Sequence, residues 1–221
     1  MRERLVTIEA ASLVQDMDYY PRTDIDTTRI GYLVESIAAG VNLPPVIADE
    51  KTKIVVDGYH RIRAAMRFEG EGAKIKVILR SYPNKKELFL DVARLNSSHG
   101  LMLNRADRVR CSLIAKRLGI PDGEIAKALN MRRESFLDLV KTRTAKHART
   151  RAPVVLKSTV KHYAGKALSA KQVAINDKLG GMRATFYVNQ VILLIEGDFI
   201  DMGNEELLER LKVLKGLLRK F

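Results

Sequence analysis

The sequence predicts an α+β domain over residues 1–103, an all-α domain over 104–148 and a mostly helical C-terminal region over 149–221. Three observations lead to it. Short apolar runs alternate with amphipathic stretches through the first hundred residues, three helix-length periodic segments joined by tight turns follow, and the tail closes on a heptad-like leucine pattern.

Residues 5–8 read as a short strand. Thr27 and Thr28 offer an N-cap before Ile30, Leu33, Val34, Ile37 and Ala38, whose i, i+3, i+4, i+7, i+8 spacing makes an amphipathic helix closed by Gly40. Residues 44–47 and 53–56 read as strands around the polar turn 49–52, and a helical pattern runs from His60 to Phe68 until Glu69-Gly70-Glu71-Gly72 breaks it. Residues 75–79 are another strand. A helix over about 85–95, with Leu88, Phe89 and Val92 on one face, gives way to the polar stretch Asn96-Ser97-Ser98-His99-Gly100. Helices are expected over 106–118, over 122–129 and from 133 to about 146, separated by Gly119-Ile120-Pro121 and Asn130-Met131. Residues 143–153 read as a basic, polar boundary, followed by a mixed segment with its apolar part at 184–195. In the closing helix Asn204 is the N-cap, Glu205 and Glu206 suit the positive end of the dipole, and Lys215, Arg219 and Lys220 suit the other end. Leu207, Leu211, Leu214, Leu218 and Phe221 follow a 4-3-4-3 spacing.

The 221 residues carry 39 Lys+Arg against 26 Asp+Glu, a net charge of +13. Residues 1–100 hold 15 basic and 14 acidic side chains, 101–160 hold 14 and 5, and 161–221 hold 10 and 7. The excess therefore belongs to the middle segment, and such a patch seeks polyanions. The chain is 46% hydrophobic and 29% charged, which argues against wholesale disorder. No apolar run reaches the roughly 18 residues of a membrane span, and Met1-Arg2-Glu3-Arg4 leads into a strand-like stretch unlike a signal-peptide core. A cytoplasmic, nucleoid-associated protein with no membrane partner is expected. Cys111 alone forms no internal disulfide or cysteine-based zinc cluster, and the absence of Trp disfavours a stacking surface for single strands.

Val55-Val56-Asp57-Gly58-Tyr59-His60-Arg61-Ile62-Arg63 places a strand, a glycine and several cationic side chains at the start of a helix. A helix N-terminus presents free N–H groups, and a glycine lets an anion approach them. Arg61 and Arg63 can add charge-assisted hydrogen bonds to phosphate. A helix cap with solvated arginines is the plain alternative.

Asp57-Gly58-Tyr59-His60-Arg61-Ile62-Arg63-Ala64 resembles the phosphate-contacting motif of the ParB/sulfiredoxin-like superfamily, Gly-Glu-Arg-Arg-x-Arg-Ala in partition proteins and Gly-Gly-Cys-His-Arg in sulfiredoxins. Pro21-Arg22, Ser36-Ile37, Gly40 and Pro45-Val46 are similar to the partition family's upstream pattern in order and spacing. Downstream, the stretch from Asn96 to Leu103 with Ala106-Asp107-Arg108 stands in place of Glu-Asn-x-x-Arg, and looks like the Asn-x-x-His-Gly-Leu variant of ParB-like transcriptional regulators. The resemblance covers roughly residues 5–145. It implies a domain that binds a nucleoside triphosphate, CTP in the partition proteins, with Mg²⁺, and that closes a clamp on DNA. By that resemblance Arg22, Gly58, His60, Arg61 and Arg63 are nucleotide contacts, Asn96, Ser98 and His99 lie across the pocket, and Asn96 is the metal ligand. Tyr59 and His60 depart from the family's Glu and Arg, and Leu95 stands where the metal-ligating Asn has an acidic neighbour. Tyr59 also excludes sulfiredoxin chemistry, which needs a thiolate there. Other superfamily members are nucleases or phosphorylate free serine, and Asp57 and His60 are the candidate bases for such an enzyme.

Residues 124–139 fit a helix-turn-helix. Ile125, Leu129, Met131, Phe136 and Leu139 fall at buried positions, Ala126 is the small residue at the helix crossing, and Asn130 takes the turn position that favours positive φ. Arg133 is the misfit, at a position commonly small or β-branched. From Arg132 to Arg151 seven basic residues face only Glu134 and Asp138. Arg132, Arg133, Glu134 and Ser135 are expected nearest base edges, with Lys141, Arg143 and Lys146 on phosphates.

The expectation is an α+β ParB/sulfiredoxin-like N-terminal domain, an all-α helix-turn-helix domain and a mostly helical C-terminal region for oligomerisation or partner binding. The functional expectation is a sequence-specific, nucleotide-responsive binder of double-stranded DNA in partition or transcriptional regulation. No catalytic residue is assigned, slow CTP turnover stays open, and the chain is expected to form a homodimer that in a partition system works with a partner ATPase. The rival is a nucleotide-dependent nuclease or small-molecule kinase.

Overall fold

The computed structural model describes residues 3–98, 101–179 and 184–219. Strand β1 (Glu3–Glu9) pairs antiparallel with β4 (Lys74–Arg80), which runs parallel to β2 (Val46–Asp49), and β2 pairs antiparallel with β3 (Val55–Asp57). The β2–β3 turn is held by the Asp49 carboxylate, which accepts from the Thr52 amide and hydroxyl, with Lys53 at φ 59°.

Helix α1 (Thr27–Ala38) packs beside α2 (Tyr59–Glu69). Its N-cap is Asp26, not Thr27 or Thr28: the Asp26 carboxylate accepts from the Arg29 amide at 2.9 Å, which draws both threonines into the first turn. Gly40 stops the helix at φ 75°, as the sequence suggests. Helix α3 (Lys85–Ser98) runs past residue 95, where the side chains of Asn96 and Ser98 lie back along the helix and donate to the carbonyls of Val92 and Arg94 four residues back.

Two hydrophobic clusters flank the sheet. One joins Tyr20, Val46, Val55, Tyr59, Ile62 and Val77. The other takes Val56 and the apolar face of α3, Leu88, Phe89 and Val92, and continues through Cys111 and Ile114 of α4 (Arg105–Arg117), Ile125 and Leu129 beside α5 (Asp122–Ala128), and Phe136 of α6 (Arg133–Arg143). This core crosses residue 103 without a break. Cys111 is fully buried, and its thiol donates to the Pro21 carbonyl at 3.6 Å.

The chain departs from the sequence expectation after α6. The helix ends at Arg143, and β5 (Thr144–His147) begins at the next residue. It pairs antiparallel with β6 (Pro153–Val155) and parallel with β7 (Ala167–Leu168), where a polar boundary was expected. Ala145, Val154, Leu156 and Leu168 form a small core of their own, whose burial outweighs the polarity of the flanking residues. Helix α7 (Ala170–Lys178) starts at a capping box of Ser169 and Gln172. The apolar segment read as mixed is helix α8 (Ala184–Glu196), and α9 (Glu205–Leu218) is capped by Asn204, whose side chain accepts from the Leu207 amide at 3.0 Å. Leu207, Leu211 and Leu214 are half-buried and Leu218 is exposed, while Lys220 and Phe221 lie outside the described residues. Among the described residues no helix is long and apolar enough to cross a membrane.

Candidate phosphate cleft and nucleic-acid interface

The strand β3 delivers Asp57 and Gly58 to the start of α2. Gly58 sits at φ 111°, a conformation that L residues avoid, and a Cβ there would lie 2.8 Å from Val46 Cγ2. A cleft of about 240 Å³ opens over this turn, lined among others by Arg22, Arg29, Gly58, His60, Arg61 and Asn96. That is below the roughly 300–1,000 Å³ of sites that engulf a drug-sized ligand, so the cleft as it stands has room for a small group rather than a whole drug-sized molecule.

The expected contacts separate into two groups. Arg22, Gly58, His60 and Asn96 do converge on the cleft. Arg22 is buried, donates to the Leu101 carbonyl at 2.5 Å and approaches Asn96 Oδ1 at 3.5 Å and Asp107 at 3.9 Å. His60 Nε2 accepts from the Asp26 amide at 3.3 Å. Burial, with Arg22 and Arg29 beside it, pushes His60 down to about 4, so the ring is neutral near pH 7. Arg29, which the sequence reading missed, makes no ion pair among the described residues and lines the same cleft from the first turn of α1. Its signal was positional: an arginine three residues beyond the true N-cap, beside the α2 start.

The remaining residues are elsewhere or engaged. Arg61 lines the cleft, but its guanidinium is spent on the Asp57 carboxylate at 2.5 Å and on the Pro44 and Pro45 carbonyls at 2.6 and 2.8 Å, so it braces the turn. Arg63 is exposed one turn away and bonds Gln15 at 3.1 Å, outside the cleft lining. Ser98 faces the helical domain, where its hydroxyl accepts from Asn130 Nδ2 at 3.3 Å. His99 lies outside the described residues. Asn96 does not fit as a Mg²⁺ ligand. Its amide oxygen faces the Arg22 guanidinium, its NH₂ donates to Val92, and among the described residues no group of three His, Cys, Asp or Glu side chains could hold a metal.

Tyr59, at the sulfiredoxin cysteine position, is buried, donates its hydroxyl to the Asp16 carbonyl at 2.8 Å and is held protonated by burial. Asp107 joins the cleft to the helical domain. Its carboxylate completes the capping box of Asn104 at the start of α4 and accepts from the Thr23 amide at 2.8 Å, next to Arg22.

In the helical domain Ile125, Ala126, Leu129 and Phe136 are buried, Met131 and Leu139 half-buried, and Asn130 adopts φ 54° between α5 and α6. Arg132, Arg133, Glu134 and Ser135 are exposed together at the start of α6, and Lys141 is exposed near its end. Arg143 is not. It is 7% exposed, donates to Ser158 Oγ at 3.0 Å, and is pushed down by burial and by Arg105, so it joins α6 to the following segment and is not free to meet phosphate. Lys146 is exposed, on β5 rather than on the helix.

No protein-family model matches the chain, and no curated protein does. Among solved structures it is similar to a pNOB8-like ParB N-domain at 13% identity, over 70% of this chain and 57% of that one, with a TM-score of 0.43. It is similar also to C-terminally truncated ParB from Caulobacter crescentus complexed to the centromeric parS site, at 15% identity over 62% of this chain and 71% of that one, TM-score 0.44. The same Caulobacter protein complexed with CTP-γ-S gives 18% identity over 63% and 78%, TM-score 0.37. The chain thus spans just over half of the first of these proteins, and what it shares with all three is a likeness of fold to ParB structures.

Proposed function

We propose that this is a ParB-like binder of double-stranded DNA whose helical domain reads sequence and whose N-terminal cleft takes the phosphates of a nucleoside triphosphate such as CTP, acting in DNA partition or transcriptional regulation. The observation that carries the reading is the α5–α6 pair: a left-handed Asn130 in the turn, a buried seam of Ile125, Leu129 and Phe136, and four polar residues exposed at the start of α6. In this reading Arg132, Arg133, Glu134 and Ser135 enter the major groove and Lys141 meets the backbone. Gly58, His60, Arg22 and Arg29 form the phosphate end of the cleft, and Asp107 passes a ligand-driven shift of Arg22 to the start of α4.

Selection of bound sequences from a random duplex pool by the full chain, repeated with and without CTP, tests this. Enrichment of one sequence family is expected. Recovery of an unenriched pool would overturn the reading, and identical affinities with and without CTP, ATP and GTP would remove the nucleotide from it. Turnover of CTP is followed in the same samples. The enzymatic rival has less to stand on, because Asp57 is ion-paired to Arg61 and His60 Nε2 already accepts a backbone N–H. A homodimer through the C-terminal region belongs to the same proposal, supported by Val188, Leu193 and Ile195 exposed on α8. Deleting residues 184–221 is expected to turn a dimer into a monomer in solution, and a dimer that persists would remove that interface. A partner ATPase belongs to the partition branch alone.

A further inference from the structure

The segment after the recognition helix is neither a linker nor an extension of α6. No acidic residue occurs from Leu139 to Asn176, a span with nine Lys and Arg. Within it β5 and β6 form a hairpin in the register Thr144–Val155, Ala145–Val154 and Lys146–Pro153. Alternation turns Ala145 and Val154 inward and leaves Lys146 and Pro153 exposed. The tip, Ala148-Arg149-Thr150-Arg151, is exposed throughout. It is nonetheless an ordered turn: His147 Nδ1 accepts from the Arg149 and Thr150 amides at 3.2 and 3.1 Å, the Arg151 amide donates to the His147 carbonyl at 2.9 Å, and Arg151 adopts φ 59°. Among the described residues Lys146, Arg149 and Arg151 enter no ion pair.

The root of the hairpin is fixed to the helix. The Leu156 amide donates to the Arg143 carbonyl at 2.8 Å, and the buried Arg143 guanidinium reaches Ser158. The burial that removes Arg143 from the surface thus sets the angle between α6 and the hairpin. The four residues of β5 span roughly 13 Å, comparable to the major groove's width of about 12 Å, so a tip that starts from the end of a helix seated in the groove is long enough to reach the neighbouring sugar–phosphate backbone.

We propose that the β5–β6 hairpin is a wing, a second DNA-contacting element that lays Arg149 and Arg151 on the backbone beside the site occupied by α6. The proposal rests on the DNA-binding reading above and extends it to an element outside the helix-turn-helix. Two cations placed there add affinity for every sequence and steepen its salt dependence, while base selection stays with α6.

The test uses the full chain and a fluorescein-labelled 40-bp duplex of mixed sequence, titrated from about 50 to 300 mM KCl. The variant is Arg149→Ala with Arg151→Asn, since asparagine tolerates the positive φ. The salt slope is expected to fall by about 1.8, twice the increment of about 0.9 per phosphate, and Lys141→Ala by about 0.9. An unchanged slope in the double variant, with Lys141→Ala behaving as expected, overturns the wing and leaves the DNA reading standing. No binding by the parent chain at the lowest salt overturns both. A second readout does not depend on the double variant folding: Thr150→Cys carries an iron–EDTA probe, with buried Cys111 inert, and cuts concentrated within a few base pairs of a site are expected. Cutting no stronger than that of free iron–EDTA overturns the wing.

Discussion

Gly58→Ala probes the floor of the cleft and the fold in one substitution. Gly58 adopts φ 111° and ψ 19°, and a Cβ would stand 2.8 Å from Val46 Cγ2 and 3.1 Å from Arg61 Nη2. Forcing an L residue into left-handed backbone costs about 1–2 kcal/mol. Val46 is buried in the sheet and Arg61 is fixed by three partners, so neither yields freely, and overpacking of this kind adds about 1–3 kcal/mol. Together the loss is about 2–5 kcal/mol, which for a chain of this size lowers the melting temperature by roughly 4–20 °C. Gly31→Ala is the matched control, because Gly31 is inside α1 with nothing within 4 Å of its Cβ, and helix propensity predicts a gain of about 0.5–1 kcal/mol. Differential scanning calorimetry on the two variants and the parent decides. A Gly58→Ala protein that melts within about 1 °C of the parent would refute the claim that this turn needs a glycine.

Three further outcomes are expected. His60 should titrate near 4 by NMR of its ring, so its contribution to stability is present above the unfolded value of about 6.5 and is lost as pH falls from there toward 4; saturating CTP should raise that midpoint, and an unmoved midpoint would remove His60 from phosphate contact. Phe136→Ala, at a position with no exposure, should cost about 3–5 kcal/mol in calorimetry, whereas a loss below about 1 kcal/mol would contradict its central place in the shared core. Lys157 is 6% exposed and its ammonium is paired to Asp24, which is largely exposed. Asp24→Asn strands a buried charge and should lower the melting temperature more than Lys157→Met, which removes the charge itself; the reverse order would show that solvent, not Asp24, holds Lys157.

The helices and the N-terminal strands were legible where one face is buried and the other wet. The spacing of Ile30, Leu33 and Ile37 marks α1, and the alternation of apolar runs with Gly and Asn turns marks α2 and the α5–α6 pair. The three-stranded sheet was not legible, because β5 is four residues with one buried side chain, Ala145, and its stability comes from Val154, Leu156 and Leu168, distant in sequence. The cleft was legible in its glycine and in Arg22, His60 and Asn96. Partner choice was not: that Arg61 would be spent on Asp57 and two proline carbonyls, or Arg143 on Ser158, depends on where loops return in space.

Phe89 and Val92 share one core with Ile125, Leu129 and Phe136, so the helices α4 to α6 cannot be exchanged as a cassette at residue 103. A foreign helical domain spliced there would meet an apolar α3 face shaped for a different partner. If α6 reads DNA as proposed, its target preference is open to change by point substitution on the wet side of the helix, where Arg132 to Ser135 are exposed and stand outside the shared core.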